Sequence, residues 1–393
     1  MTLALLSHIR GDTYGGAEIF FSDVAKLLLN KQRFDEVICC FATSYDEFSD
    51  ELRLKPYGIK IINTGKNLES VFLNSKYSKS RSLLGFYHSI QLRRLVKELQ
   101  PELVFVAHEA FKPLERIINN SNNNNNKEHA LIHYVHNPYE FVPDPSDPIV
   151  KPFSLITNRY IIKGNDFSDV VLANSNSTRK QCIKRWNRND CIVLYPSIKI
   201  DEIATYISSP SSSSSRDDIC IVLSRLSPEK KIELAIEAFK TKVLKNKQLL
   251  IIGYLSRENK NYYQRLRDLS KRNENIKILP NLRRNDVLTL LSKAKILFHP
   301  MPDEHFGIAI IEAMAAGCLP VVHASGGPLE IVDNGRYGLI YRDLSEIPEL
   351  LNRAFNLSKH FQHKVKNRAL QFDIKHFQEK LITLINNVNN VGR

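Results

Sequence analysis

The chain has 393 residues, of which 43% are hydrophobic and 25% charged, and its formal net charge is +13 at pH 7. This length exceeds one ordinary hydrophobic core and predicts two domains of about 150–200 residues each. The six cysteines have neither metal-ligand spacing nor the density of a disulfide scaffold, so we expect buried thiols in a reducing, cytoplasmic compartment. The first residues do not fit a signal peptide, and no apolar run is long enough for a membrane span.

The excess of basic residues has two interpretations. A basic surface favours phosphates, nucleic acid or an anionic membrane leaflet as partners. A general solubility charge explains the same balance without any partner. Composition alone leaves both open.

The N-terminal half alternates predicted strands and helices. Residues 2–8 predict a strand, which is followed by a loop containing Gly15 and Gly16 and by a helix over residues 17–29. This order is typical of the opening of a Rossmann-like domain, where the loop lets a ligand approach the backbone, although an ordinary tight turn explains Gly-Gly equally well. Further strands are predicted at residues 36–41, 59–62, 103–107, 130–135, 170–173 and 192–195, with a long helix at residues 83–99 and the start of another at residues 174–178.

One histidine in this half is a candidate site residue. His136 directly follows the predicted strand at residues 130–135. A residue at the carboxyl end of a strand in a parallel sheet lies at the ligand crevice. A hydrogen-bonded structural histidine is the alternative.

Three stretches have the composition of loops or linkers. The asparagine-rich residues 119–126 predict a loop insertion, and the polar, basic and aromatic residues 68–81 predict either an acceptor or membrane-contact loop or a plain surface loop. Residues 200–217 contain a polyserine run and predict a linker between a first domain at residues 1–199 and a second at residues 218–371.

The second domain opens with a pair of cations. Arg225 and Lys230 lie between a predicted strand at residues 219–223 and a predicted helix at residues 232–239. Arginine offers a bidentate contact and lysine a point charge, which together suit a diphosphate. A lysine at the start of a helix interacts unfavourably with the positive end of the helix dipole. Its presence there favours a functional role over a plain charged surface.

Two carboxylates organise residues 299–327, HPMPDEHFGIAIIEAMAAGCLPVVHASGG. Glu304 follows a predicted strand at residues 296–298, and Glu312, eight positions later, is predicted on a helix between Gly307 and Ala316. Eight residues at helical rise span about 12 Å, roughly the reach from a sugar through a diphosphate to a ribose. One carboxylate could then hold sugar hydroxyls and the other ribose hydroxyls, with phosphates at the helix start. The alternative is a surface helix with two solvated glutamates.

The segment HPMPDEHFGIAIIEAMAAGCLPVVHASGGPLEIV resembles the donor-binding signature of the retaining glycosyltransferases of family 4. Its EHFGIAIIEAMAAG part, followed by SGGPLEIV, is most similar to the mannosyltransferases that extend dolichol-linked oligosaccharide precursors. The resemblance implies an α/β chain of GT-B fold, with two Rossmann-like domains facing across a cleft. A C-terminal helix within residues 372–393 would return to the first domain. SRLSPEKK resembles the family's phosphate-binding element, although Lys231 stands where glycine is usual.

The resemblance also implies a reaction. The chain would transfer a hexose, in the first place mannose from GDP-mannose, to a hydroxyl of a glycan or polyprenyl-linked acceptor, with retention and on the cytoplasmic face of a membrane. The implied catalytic residues are Glu304 and His136 on the sugar and Arg225 and Lys230 on the phosphates, so neither a metal nor a cofactor is expected. The implied donor-binding residues are Gly15, Gly16, Arg225, Lys230, His305, Phe306, Gly307, Ile308, Glu312, Gly326 and Gly327.

Other functions remain open at this point. UDP-glucose or UDP-N-acetylglucosamine is the alternative donor, because GYLSRENKNYY replaces the glycine-rich turn that many relatives carry on the base side. A sugar-nucleotide epimerase would need its own acid–base carboxylates, and no convincing pair is present. A non-catalytic basic protein that binds membranes or nucleic acid would have a vacant donor site. The complete set of Arg225, Lys230, Glu304 and Glu312 argues against vacancy, so nucleic acid is not expected as a partner.

Overall fold

The computed structural model describes residues 2–8, 16–30, 33–43, 54–64, 80–107, 129–136, 168–207 and 216–391. They form two compact units, of which the first comprises Met1–Tyr195 with Gln378–Arg393 and the second Pro196–Phe377. Each unit is built on its own parallel sheet. The predicted α/β fold with two Rossmann-like domains is therefore confirmed. Of the predicted features, Gly15, residues 119–126, residues 208–215 and most of residues 68–81 lie outside the described residues.

The first unit contains a seven-stranded parallel sheet with the order β3-β2-β1-β4-β5-β6-β7. Its strands are β1 Leu3–His8, β2 Glu36–Phe41, β3 Lys60–Asn63, β4 Leu103–Val106, β5 Ala130–Val135, β6 Val170–Ala173 and β7 Ile192–Val193. Helices α1 (Gly16–Asn30), α2 (Ser80–Leu99) and α3 (Asn176–Trp186) belong to the same unit. Strands covered on both faces are expected to be apolar throughout, and every residue of β1 is indeed buried.

The second unit contains a six-stranded parallel sheet with the order β10-β9-β8-β11-β12-β13. Its strands are β8 Asp217–Leu223, β9 Gln248–Gly253, β10 Ile276–Pro280, β11 Ala294–His299, β12 Leu319–His323 and β13 Leu339–Tyr341. Its helices are α4 Ile200–Ile207, α5 Glu233–Phe239, α6 Lys260–Ser270, α7 Arg284–Lys293, α8 Ile308–Ala316, α9 Gly326–Ile331 and α10 Ile347–Ala369. A last helix, α11 (Ile374–Val391), begins in this unit, and its residues from Gln378 onward group with the first unit.

Both sheets reverse their strand order next to their first strand. In the first sheet this switch lies between β1 and β4, and in the second between β8 and β11. Ligands of open α/β sheets bind outside the carboxyl ends of the strands at such a switch. The topology thus locates one candidate crevice in each unit before any side chain is considered.

The predicted linker at residues 200–217 is partly wrong, because its first residues form helix α4. Ile200 and Ile203 are both buried, three positions apart, and α4 packs on α7 and α8. Apolar residues at this spacing form one helix face, and that signal outweighs the serines that follow. The helix belongs to the second unit, which begins at Pro196.

The helical structure at the C-terminal end of the chain is interrupted between residues 369 and 374. A short 3-10 turn at Leu370–Phe372 and the extended residue Asp373 separate α10 from α11. The Asp373 Oδ2 atom accepts a hydrogen bond from the Ile200 amide at 3.3 Å. The break therefore satisfies a backbone donor at the start of α4, which helical periodicity alone does not reveal.

Candidate active site

The candidate residues of the second unit meet at its switch point. Arg225 follows β8, and residues 300–307, here called the acidic loop, connect β11 to α8. Because β8 and β11 are paired neighbours, the segments that leave their carboxyl ends start side by side. The sheet order thus brings the predicted phosphate-binding element next to the predicted sugar-binding loop.

Lys230 and Glu304 form a buried ion pair at the centre of this region. The Lys230 Nζ atom lies 2.5 Å from the Glu304 Oε2 atom, and the two side chains are only 12% and 14% exposed. His299, the last residue of β11, places its Nε2 atom 3.3 Å from the same oxygen. The His299 ring is not aligned for a directed hydrogen bond, so we treat this contact as electrostatic. Sequence reasoning assigned Lys230 and Glu304 to separate ligand groups, whereas the structure pairs them.

This environment fixes the charge of Glu304. Burial raises the pKa of its carboxyl group, but the contact with His299 and the charge of Lys230 outweigh burial. The pKa of Glu304 consequently lies well below its usual range, and the group is ionised at neutral pH. An ionised carboxylate accepts hydrogen bonds from hydroxyls but has no proton to give, so Glu304 cannot act as a general acid. The Lys230 ammonium has three donors and can contact an anion in addition to Glu304.

Three hydrogen bonds hold the acidic loop in place. The Tyr341 hydroxyl donates to the Pro300 carbonyl at 2.7 Å, and the Asp303 amide donates to Ser325 Oγ at 2.8 Å. The Gly327 amide donates to the Glu304 carbonyl at 2.8 Å. Tyr341 ends β13 and Ser325 precedes α9, so neighbouring strands of the sheet fix the position of the Glu304 backbone.

Gly326 and Gly327 pack directly against the backbone of the acidic loop. A Cβ atom on Gly326 would lie 2.3 Å from the Glu304 carbonyl oxygen, and one on Gly327 would lie 2.5 Å from the His305 carbonyl oxygen. The pair is therefore required for close packing of two backbone segments. The sequence-based interpretation made their amides phosphate donors, but the Gly327 amide is already bonded to Glu304. We assign Gly327 to loop packing instead.

The remaining loop residues have mixed roles. The Phe306 side chain is buried and packs edge-on against Phe372, with ring centroids 6.0 Å apart, and its contact with the donor stays a prediction. The His305 amide donates to Glu304 Oε1 at 3.1 Å. Gly307 has a φ of 112°, a conformation that favours glycine, and α8 begins at Ile308. The positive end of the α8 dipole therefore lies directly beside the acidic loop.

The second predicted carboxylate, Glu312, lies on α8 as expected and has a cationic partner. The Arg284 Nη1 atom lies 2.6 Å from the Glu312 Oε1 atom. Arg284 is the first residue of α7, which follows the carboxyl end of β10. The sequence analysis did not identify this residue. The available signal was an arginine at the start of a helix, where a cation opposes the helix dipole, as it does at Lys230.

Arg225 and Lys231 complete the cationic segment. The Arg225 guanidinium is 56% exposed and lies 3.5 Å from the Glu229 carboxylate, so it is accessible to an anion from solvent. Lys231 adopts the left-handed conformation with a φ of 52°. This geometry explains why the resembled family usually has glycine at this position.

In the first unit, His136 follows β5 at the carboxyl edge, as predicted. Its ring lies 5.3 Å from the ring of Phe20 and 4.9 Å from that of Tyr134, edge-on in the first contact. The Asn174 side-chain amide donates to the His136 carbonyl at 3.0 Å. Gly16 is the first residue of α1. These contacts fix the backbone of His136 and leave its role in binding a sugar a prediction.

The first unit also contains a buried histidine network that sequence reasoning did not find. The Thr64 hydroxyl donates to the Phe41 carbonyl at 3.1 Å, so the His88 Nδ1 atom must donate to Thr64 Oγ1, and the Ser7 hydroxyl donates to His88 Nε2 at 2.8 Å. Burial, with the nearby His8, lowers the pKa of His88 to about 3. His88 is therefore neutral at pH 7, and the fully buried contact of Ser7 with His88 connects the carboxyl end of β1 to α2.

Three further predictions concern thiols, metals and membranes. All six cysteines are buried and unpaired, so the predicted buried thiols are confirmed. Within the described residues, no group of three or more histidine, cysteine, aspartate or glutamate side chains has the arrangement of a metal site. In that same part of the chain, none of the helices combines the length and apolar character needed to cross a membrane.

Comparison with known proteins adds independent information. A model described as Glycosyltransferase Family 4 matches residues 14–202, and one described as Glycosyl transferases group 1 matches residues 207–371. The GDP-Man:Man(3)GlcNAc(2)-PP-Dol alpha-1,2-mannosyltransferase of Mus musculus is 31% identical over 181 residues, covering 42% of this chain and 36% of that protein. A probable sucrose-phosphate synthase of Thermosipho melanesiensis is 32% identical over 190 residues, covering 44% of each chain. The matched part thus spans less than half of the length of either relative.

Among solved structures, Anabaena HepE in complex with UDP is similar in fold. Its TM-score is 0.69 at 19% identity, and the match covers 98% of this chain and 100% of that one. At this identity the likeness concerns the fold alone. Two family models cover nearly all of residues 14–371, and both sheets have the strand order of Rossmann-like domains, so the chain belongs to the glycosyltransferases of family 4, with the GT-B fold.

Proposed function

We propose that the chain transfers a hexose from a sugar nucleotide to an acceptor hydroxyl, with the donor bound at the switch point of the second unit. The observation that carries this proposal is the buried pair of Lys230 and Glu304 at that point. A charged pair in such a place is costly to desolvate and adds little stability over an apolar pair. Its presence at the end of β8 and β11 is therefore better explained by ligand chemistry than by folding.

Each charged group then has one task. The exposed Arg225 guanidinium and the remaining donors of Lys230 neutralise the charge that develops on the leaving diphosphate. The start of α8 adds a positive dipole end beside the acidic loop. Glu304, ionised and backed by His299, accepts hydrogen bonds from sugar hydroxyls and stabilises positive charge at the reacting carbon. Glu312 takes the ribose hydroxyls. No protein group in this scheme needs a metal.

We further propose that the reaction retains the anomeric configuration. Glu304 is already paired with Lys230, so we assign it to charge stabilisation rather than to attack on the sugar. Attack on the face from which the phosphate leaves, with that phosphate helping to deprotonate the acceptor, requires no protein nucleophile. His136 is assigned to the sugar in this scheme.

GDP-mannose is the favoured donor and a glycan or polyprenyl-linked glycan the favoured acceptor. Support comes from the mouse relative, which is a GDP-Man:Man(3)GlcNAc(2)-PP-Dol alpha-1,2-mannosyltransferase, and from the similarity of EHFGIAIIEAMAAG to that group. The net charge of +13 suits a phosphate-bearing lipid acceptor at an anionic, cytoplasmic membrane face. UDP-glucose is the second candidate, because the Thermosipho relative is a probable sucrose-phosphate synthase of similar identity.

The testing experiment is calorimetric binding of GDP, UDP and ADP, followed by turnover of the matching sugar nucleotides. We expect GDP to bind most tightly and Arg225→Ala to weaken it by about tenfold, as for loss of a charge-assisted contact. Preference for UDP would replace the mannose assignment by the second candidate. If none of the three binds, the transferase proposal fails and a basic membrane- or nucleic-acid-binding role takes its place.

Glu304 is tested separately from binding. Glu304→Gln keeps an acceptor for Lys230 but removes the charge, and we expect turnover to fall by at least about a hundredfold with modest change in nucleotide affinity. Glu346→Gln is the matched control, because Glu346 is an exposed residue at the start of α10, outside the site. Equal turnover in the two variants would show that Glu304 does not take part in the reaction.

A further inference from the structure

The contact between Arg284 and Glu312 joins two helices that pack against each other, α7 and α8. Arg284 opens α7 after β10, and Glu312 lies in the second turn of α8 after β11. Their closest atoms, Nη1 and Oε1, are 2.6 Å apart, and the side chains are 25% and 14% exposed. An ion pair this short, shielded from most of the solvent, restrains the position of the carboxylate.

Only one oxygen of Glu312 is used in this way. The pair involves Oε1, and the structure records no partner for Oε2 among the residues that it describes. An ionised carboxylate accepts hydrogen bonds through both oxygens. Glu312 is thus anchored on one side and has an acceptor left for a ligand on the other.

Arg284 is itself anchored on its far side. Its Nε atom lies 4.0 Å from the Glu202 carboxylate of α4. A second contact joins the same helices, since the Tyr206 hydroxyl lies 2.8 Å from Thr289 Oγ1. Arg284 therefore lies on α7 between a carboxylate of α4 and one of α8, and its close contact is the one with Glu312.

We infer that Arg284 is a positioning residue of the donor site, which orients the free oxygen of Glu312 toward the 2′- and 3′-hydroxyls of a ribonucleoside diphosphate. The inference rests on the proposed function, because it takes Glu312 as the group that binds ribose. It adds that recognition of the ribose depends on a residue that does not touch it. Loss of Arg284 should therefore affect the ribose contact and little else in the ligand.

The test compares a nucleotide with the same nucleotide lacking the two hydroxyls. GDP and 2′,3′-dideoxy-GDP are titrated calorimetrically into the wild type, Arg284→Ala, Arg284→Lys, Glu312→Gln and the double variant Arg284→Ala/Glu312→Gln. If UDP is the tighter ligand, UDP and 2′,3′-dideoxy-UDP are used instead. Arg272→Ala is the matched control, because it removes the same charge from an exposed position just before β10, at the amino end of the strand that Arg284 follows.

The wild type should prefer the ribose form by about tenfold to a hundredfold, as for hydrogen bonds to a charged group. Arg284→Ala should reduce this preference to about threefold or less and leave the affinity for the dideoxy form nearly unchanged. In a protein that already carries Glu312→Gln, Arg284→Ala should have no further effect on the preference. Arg284→Lys should restore part of the preference, since lysine keeps the charge but not the planar fork. Arg272→Ala should retain the full preference.

Other results overturn the inference in distinguishable ways. If Arg284→Ala keeps the preference while Glu312→Gln loses it, the inference fails and the ribose role of Glu312 stands. If Arg284→Ala weakens both nucleotides equally, the residue acts through general charge or folding. Tighter binding of GDP by Arg284→Ala would show that the arginine competes with the ligand for Glu312. If the wild type binds neither GDP nor UDP, the proposed function fails and the inference fails with it.

Discussion

Replacing Lys230 by methionine provides the sharpest test of how the acidic loop is stabilised. The substitution keeps much of the side-chain volume but removes the charge that lies 2.5 Å from Glu304. Glu304 is then left as a carboxylate at a site only 14% exposed, with the His299 ring 3.3 Å away as its remaining polar neighbour. Breaking one side of a buried ion pair costs about 3–5 kcal/mol. We expect the lower end, about 3 kcal/mol, because His299 remains.

The expected loss is measured as the unfolding temperature of the second unit. For a unit of this size, about 3 kcal/mol corresponds to a decrease of roughly 6–12 °C. Glu304→Gln should cost less, about 1–2 kcal/mol, since the amide oxygen still accepts from Lys230. Once the carboxylate is gone, removing the lysine charge should cost little, so the double variant should resemble Glu304→Gln. The coupling energy from the double-mutant cycle should then be about 2 kcal/mol or more.

The control is the Arg225 and Glu229 pair, whose side chains are 56% and 48% exposed at a distance of 3.5 Å. Arg225→Met should change stability by less than about 0.5 kcal/mol, because solvent screens exposed pairs. A Lys230→Met variant that is no less stable than Arg225→Met would contradict the role of the ion pair. An equal loss from Lys230→Met with and without the Glu304 carboxylate would contradict it as well.

Three other perturbations have defined outcomes. Lys231→Gly should raise the free energy of unfolding by about 1 kcal/mol, because glycine adopts the observed φ of 52° without strain; urea unfolding with no gain would contradict this. Gly253→Ala should cost about 3 kcal/mol or more, since its Cβ atom would lie 1.7 Å from the Ser224 carbonyl oxygen, and a stable variant in the same assay would disprove it. His88, with a pKa of about 3 when folded and 6.5 when unfolded, binds its proton first in the unfolded chain, so stability is complete above pH 6.5 and falls toward pH 3. Between pH 6.5 and pH 4.5, the free energy of unfolding of the first unit should fall by about 2–3 kcal/mol. His88→Gln should reduce this dependence on pH.

Much of this fold could be predicted from local signals. Apolar runs such as residues 3–6 indicated strands buried on both faces, and the segment around Glu304 and Glu312 placed one carboxylate in a loop and the other on a helix. Such signals depend on neighbours along the chain, which a sequence displays directly. Helix α4 was missed although its signal is also local, because the adjoining serines dominated the interpretation of the segment.

The partners of the charged residues could not be predicted in the same way. Lys230 and Glu304 are 74 positions apart, and their pairing depends on β8 and β11 being neighbours in the sheet. Arg284 reaches Glu312 only because α7 and α8 pack against each other in the folded unit. The glycine pair at residues 326–327 was assigned to a ligand for the same reason, since the backbone segment that it packs against is distant in sequence.

The contact of Gly326 and Gly327 with the acidic loop has a consequence for how this chain can change. Their missing side chains leave room for the carbonyl groups of Glu304 and His305. A substitution at either glycine would move the Glu304 backbone even if the glutamate itself were untouched. The two segments should therefore behave epistatically in a library of variants, so that replacements at residues 326–327 are tolerated only with compensating changes in residues 303–306. An altered sugar preference would then be reached through paired rather than single substitutions.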